Sequence, residues 1–163
     1  MTFTYIDYLE EAVLSATFIK NEVVNLDVLG TSLGRDLKRL ESNAEDEGYD
    51  VLGNPGRFRG IVANLLSLLY RVPGALPEED IIQLRKKDEE YGGSWKRRGG
   101  IGAYFSAVRK IDRIEHRLSK MDLRTALEND TREEGILDDL GDLRRYLLLW
   151  ESYWLWEEDG EEQ

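Results

Sequence analysis

Asp112 and Glu115 stand three residues apart in Ile101–Lys120 (IGAYFSAVRKIDRIEHRLSK), whose apolar residues recur at helical spacing. At about 100° per residue, Ile101, Tyr104, Phe105, Val108 and Ile111 share one stripe, and both carboxylates fall inside it. Arg109, Lys110, Arg113, Arg117 and Lys120 fall on the opposite side. An ionised carboxylate on a core-facing stripe is costly unless it is paired, hydrogen-bonded or bound to a cation. A second pair, Asp139 and Asp142, flanks the stripe formed by Ile136, Leu140, Leu143, Leu147, Trp150 and Trp154, whereas Asp138 points outward. Two helices that each offer acids at i and i+3 can surround a hard cation. Mg²⁺, with Mn²⁺ as the alternative, takes such oxygen ligands and keeps positions for water or phosphate. Four carboxylates in one pocket would repel one another without it. The structural alternative is that these acids are matched by arginines of other helices, such as Arg57 or Arg59.

Lys86, Lys87, Lys96, Arg97 and Arg98 concentrate positive charge just before the first acidic pair. Around them Gly92–Gly102 (GGSWKRRGGIG) holds five of the chain's fifteen glycines, whose backbone N–H groups can approach phosphate oxygens closely. Trp95 offers a ring to stack on a base and Ser94 a hydroxyl to bond one; the competing reading is a solvated basic hairpin with Trp95 as a packing plug. Asp88 shares a face with Ile81 and Leu84 and so points toward the same interior. Asn64, within the apolar run Arg57–Arg71, is either a contact to a base edge or a satisfied core amide.

Positioning these groups requires helices. Helical spacing covers Thr4–Lys20, Leu26–Glu41, Arg57–Arg71, Pro77–Tyr91, Ile101–Lys120 and a last helix from Thr131 through Trp156. Pro77-Glu78-Glu79-Asp80 has proline and acids where a helix start favours them, and Thr131 with Glu134 reads as a capping box. Ser42–Gly56 and Gly92–Gly102 read as loops, and Asp122–Asp130 as a short connection. No β-alternation is long enough for a strand. The expectation is an all-α bundle of five or six helices, one helical domain over 1–156 followed by an acidic tail, 157–163.

The formal net charge of −11, with five acids in that tail, argues against nucleic acid or an anionic membrane as the main partner. The chain has no cysteine and one histidine, His116, which excludes thiol nucleophiles, cysteine–zinc sites and histidine-rich metal centres. No apolar run reaches membrane-spanning length and no signal peptide is read, so a cytoplasmic protein is expected.

Asp112-Arg-Ile-Glu115 followed by Asp139-Leu-Gly-Asp142 resembles the paired motifs of the MazG-like, all-α nucleoside triphosphate pyrophosphohydrolases. Lys86–Glu115 also looks like a phage-associated branch linked to nucleotide modification. The resemblance spans roughly Ile81–Leu149, and aspartate replaces the family's usual glutamate at two ligand positions. It implies a four-helix core, Mg²⁺ held by Asp112, Glu115, Asp139 and Asp142, and a homo-oligomer, dimer or tetramer. The implied activity is cleavage of a (deoxy)nucleoside triphosphate to the monophosphate and pyrophosphate. Glu134 would then orient the attacking water, while Lys86, Lys87, Arg97 or Arg98 neutralise phosphate charge. The rival reading is a protein that uses the same pocket to sequester a nucleotide without hydrolysing it.

Overall fold

Prolines and short polar side chains set where the helices begin. In the computed structural model, which describes residues 4–17, 25–130 and 135–162, a 3₁₀ turn (Tyr5–Tyr8) leads into α1 (Leu9–Thr17). Then follow α2 (Leu26–Asp46), α3 (Pro55–Tyr70) and α4 (Pro77–Tyr91). A second 3₁₀ turn (Ser94–Lys96) precedes α5 (Gly99–Lys120), α6 (Leu123–Glu128) and α7 (Ile136–Glu162). Asn25 caps α2 by accepting from the Asp27 and Val28 amides at 3.0 and 3.3 Å. Pro55 and Pro77 open α3 and α4, where a missing N–H costs nothing. Gly92, at φ 57°, ends α4 in the left-handed conformation that favours glycine. No strand occurs among the described residues, so the all-α expectation holds.

The elements depart from expectation in four places. The first α-helix starts at Leu9, after the 3₁₀ turn, rather than at Thr4, and residues 18–20 of the expected Thr4–Lys20 lie outside the described ones. Ser42–Asp46, expected as loop, continue α2, because Ala44 extends the buried row Leu33, Leu37, Leu40 by one more turn. Residues 123–128 form a short helix capped by Asp122, whose side chain accepts from the Thr125 amide at 2.8 Å. Finally α7 runs through Glu162, so the expected tail is helical over most of its length. Thr131 and Glu134 lie outside the described residues.

α7 is the spine: it packs on α1, α3, α5 and the first 3₁₀ turn, while α2 closes the other side against α3, α5 and α6. Trp150, Phe58 and a set of leucines are fully buried between them; each such side chain contributes on the order of 1.5–3 kcal/mol. Trp150 and Trp154, expected on the apolar stripe of the last helix, belong to the chain's own core. α4 is tied down by a buried polar network. Asp80, 1% exposed, accepts from Arg144 Nε at 2.5 Å and Nη2 at 2.9 Å, and from the Tyr70 hydroxyl at 2.7 Å. Arg145 adds a bond to Asp80 at 3.3 Å. No helix is long and apolar enough to cross a membrane among the described residues.

The start of α5 is seated tightly. A methyl group on Gly100 would overlap the Asp50 carboxylate and the Leu52 backbone nitrogen. Gly100→Ala is therefore expected to destabilise the protein by about 1–3 kcal/mol, as over-packing does, in a urea titration. Gly34→Ala, whose methyl would meet nothing within 4 Å, is the control expected to lose no stability.

Candidate functional site

The buried stripe of α5 is Ala103, Tyr104, Ala107, Ile111 and Ile114, not the row of large apolar residues. Ile101 and Phe105 are 52% and 47% exposed. Alanines mark where α7 approaches closely, so the whole face is rotated relative to the expectation. Asp112 and Glu115 consequently lie on one flank, exposed and half-buried respectively, and Lys110 and Arg113 on the other.

On the first flank the carboxylates meet α2. Glu41, Asp112 and Glu115 each place a carboxylate oxygen within 4.8 Å of the others'. Burial, a hydrogen bond shared with Glu115 and the negative charges of Glu115 and Asp112 push the Glu41 pKa up to about 8; Lys38 partly offsets this. Tyr104 is raised to about 12, mainly by burial and then by the charge on Glu41. Tyr104 also joins Tyr49 and Phe105 in a ring cluster with centroids 5.2–5.5 Å apart. Beside the acids, a cleft of about 900 Å³ between α2 and the α5–α6 corner is lined by Arg35, Lys38 and Lys120 and by the acids Asp27, Glu115 and Asp122. One seam thus carries an aromatic shelf, three carboxylates and a cleft of mixed charge.

The second acidic pair does not join this cluster. Asp139, 6% exposed, lies 3.8 Å from Lys110 and 3.5 Å from Arg113. Asp142 lies 2.9 Å from Lys110 and 2.6 Å from Arg145. Burial raises the Asp139 pKa against the pull of these cations. At Asp142, burial is outweighed by Lys110 and Arg145, and the pKa falls. The four-carboxylate arrangement is therefore corrected: on the α7 flank the acids are matched by cations, and α2 supplies the third carboxylate on the opposite flank. The arginines first considered as partners go elsewhere, Arg57 to Glu47 and Arg59 to Glu151 and Glu158.

The glycine-loop residues are brought together, but away from the triad. Lys87, Asp88, Ser94 and Trp95 line one cavity of about 330 Å³ with Asp142. Asp88 accepts from the Tyr5 hydroxyl at 2.5 Å, and Tyr5 accepts from the Trp95 indole N–H at 3.1 Å. Trp95 also packs edge-on against Tyr5 and Tyr153, so the plug reading describes it better than a free stacking platform. Lys86 and Arg97 are exposed, and Asn64 is exposed on α3, which removes it as a core amide. Glu134 lies outside the described residues.

Sequence reasoning missed Glu41, Lys38 and Lys120. The unbroken row Leu33, Leu37, Leu40, Ala44 was the signal that α2 carries Glu41 within a helix. No family model, no curated protein and no solved structure matches the chain.

Proposed function

We propose that this chain is a Mg²⁺-dependent nucleotide hydrolase whose cation is held by Glu41, Asp112 and Glu115. The observation that carries the reading is the convergence of these three carboxylates from two helices. The donor set is all oxygen, which suits a hard cation better than zinc. Lys38, Lys120 and Arg35 in the adjoining cleft hold the phosphate chain, and Tyr49 with Phe105 offers rings to a base. The substrate class is a (deoxy)nucleoside triphosphate and the products are the monophosphate and pyrophosphate, in keeping with the resemblance of the acidic motifs. When bound, the cation supplies Lewis acidity toward a phosphoryl oxygen and acidifies a water. The test is pyrophosphate release from a panel of nucleoside triphosphates, with Mg²⁺ and with EDTA. Release that EDTA stops supports the reading; no release from any substrate removes hydrolysis. One observation favours the rival reading of binding without turnover: three carboxylates converge rather than four, and tight nucleotide binding without product would establish it.

The proposal carries a pH signature. Glu41 must lose its proton to ligate, so cation affinity falls about tenfold per pH unit below the Glu41 pKa of about 8 and levels off above it. Calorimetric Mg²⁺ titrations at about pH 6.5 and about pH 9 read this directly. A carboxylate in its ordinary range would give equal affinity at both. In the metal-free protein the raised pKa has a second consequence. The folded state binds the Glu41 proton more tightly than the unfolded chain, so this group's stabilisation is lost as pH rises from about 4.5 to about 8.

A further inference from the structure

The flank of α5 away from the carboxylate triad carries a constellation of its own. A groove of about 520 Å³ there is lined by Arg98, Arg109, Lys110 and Arg113 and by the hydroxyls of Ser94 and Ser106, with no acidic side chain in its lining. The chain as a whole has a net charge of −11, so its overall composition does not account for such a surface. Three of these placements are individually unfavourable. Arg98 sits at the N-cap of α5, beside the positive end of the helix dipole, and the first turn holds no acid to offset it. Arg109 and Arg113 are like charges at i and i+4 on the helix surface. Among the described residues, no carboxylate lies within ion-pairing distance of Arg98 or Arg109; Arg113 reaches Asp139 only at 3.5 Å and is itself 59% exposed. One polyanion in the groove relieves all three at once, with the Ser94 hydroxyl in the same lining to donate to its oxygens, while the Ser106 hydroxyl donates to the Gly102 carbonyl at 2.8 Å.

We propose that this groove is a second anion site, which takes an oligophosphate chain without a metal ion. The chain's oxygens lie against Arg98, Arg109 and Arg113. Lys110, which already bridges Asp139 and Asp142, completes the lining. The groove meets the 330 Å³ cavity across Trp95 and Tyr146, which line both. Inorganic tripolyphosphate and the phosphates of a nucleotide present the same chemistry to the arginines, and only the nucleotide has a ring for the adjoining cavity. This inference does not rest on the hydrolase reading, because the triad is on the opposite flank of α5 and no metal enters here.

Calorimetric titration of the full chain with tripolyphosphate and with ATP, in EDTA at low ionic strength, tests it. Both ligands are expected to bind, with affinity that weakens as salt is added. Arg98→Ala combined with Arg109→Ala is expected to lower both affinities at least about tenfold with an unchanged melting temperature, since neither side chain has an ion-pair partner to lose among the described residues. Glu115→Gln is expected to leave them intact. Tighter binding of ATP than of tripolyphosphate assigns a nucleotide to the groove and cavity together; equal affinity assigns the phosphate chain alone. No binding of either ligand overturns the site. So does binding that survives the double arginine substitution, or binding that Glu115→Gln abolishes. Absence of Mg²⁺-dependent hydrolysis in the wild-type chain, with this binding present, would count against the triad and not against the groove.

Discussion

Asp112→Asn and Glu115→Gln each lower Mg²⁺-dependent pyrophosphate release by more than about 100-fold, on the expectation that a direct ligand matters more than the outer partners whose loss costs 10–100-fold. Both substitutions keep side-chain volume, and Asp112 is exposed, so neither removes packing. The amide still offers an oxygen but no charge, and a hard cation loses much of its attraction to it. Stability supplies an independent signature with the opposite sign. Without metal and at about pH 9, where Glu41 is ionised too, the three carboxylates repel one another across a span of at most 4.8 Å, so neutralising one leaves the melting temperature unchanged or raises it. With Mg²⁺ present, the wild-type protein gains the stabilisation that any ligand confers on the state it binds, and the variants do not. Turnover undiminished in Asp112→Asn removes that residue from the site. A melting temperature that falls sharply in both variants makes the pair structural.

Asp80→Ala is the substitution expected to cost most in stability. Asp80 compensates Arg144 in the interior and also accepts from Tyr70 and Arg145, so its loss strands a buried guanidinium and leaves a half-buried phenol without its acceptor. Breaking one partner out of a buried pair costs about 3–5 kcal/mol. For a chain of this size that is a fall in melting temperature of roughly 10 °C. Scanning calorimetry measures it. The double variant Asp80→Ala with Arg144→Met is expected to recover part of the loss, because the stranded charge goes with its partner. Equal losses in the single and double variants would show that the pair is not what holds α4 to α7.

The helices were legible because their signals are local. Pro55 and Pro77 mark starts, Gly92 marks a stop, and the leucine rows of α2 and α7 repeat at helical spacing. The first acidic pair was legible too, since Asp112 and Glu115 do converge with a third carboxylate. What failed was the orientation of α5. Centring its face on Ile101 and Phe105 overlooked Ala103 and Ala107, small residues that let α7 approach, and this hid that Lys110 and Arg113 meet Asp139 and Asp142. Glu41 was read as the last residue of the helix Leu26–Glu41, one more acid where a loop rich in acids and glycine begins. Its meeting with α5 is a long-range pairing that no spacing along the chain encodes. Asp80 read as one more acid at a helix start, where the dipole alone would explain it.

The central claim is that Glu41 completes the cation site and that Asp139 does not. Calorimetric titration of Mg²⁺ into the wild-type chain, Glu41→Gln and Asp139→Asn at about pH 9, where Glu41 is ionised, tests it most directly. The account predicts saturable binding in the wild type, its loss in Glu41→Gln and its retention in Asp139→Asn. No binding in the wild type, or binding lost in Asp139→Asn and retained in Glu41→Gln, would contradict it.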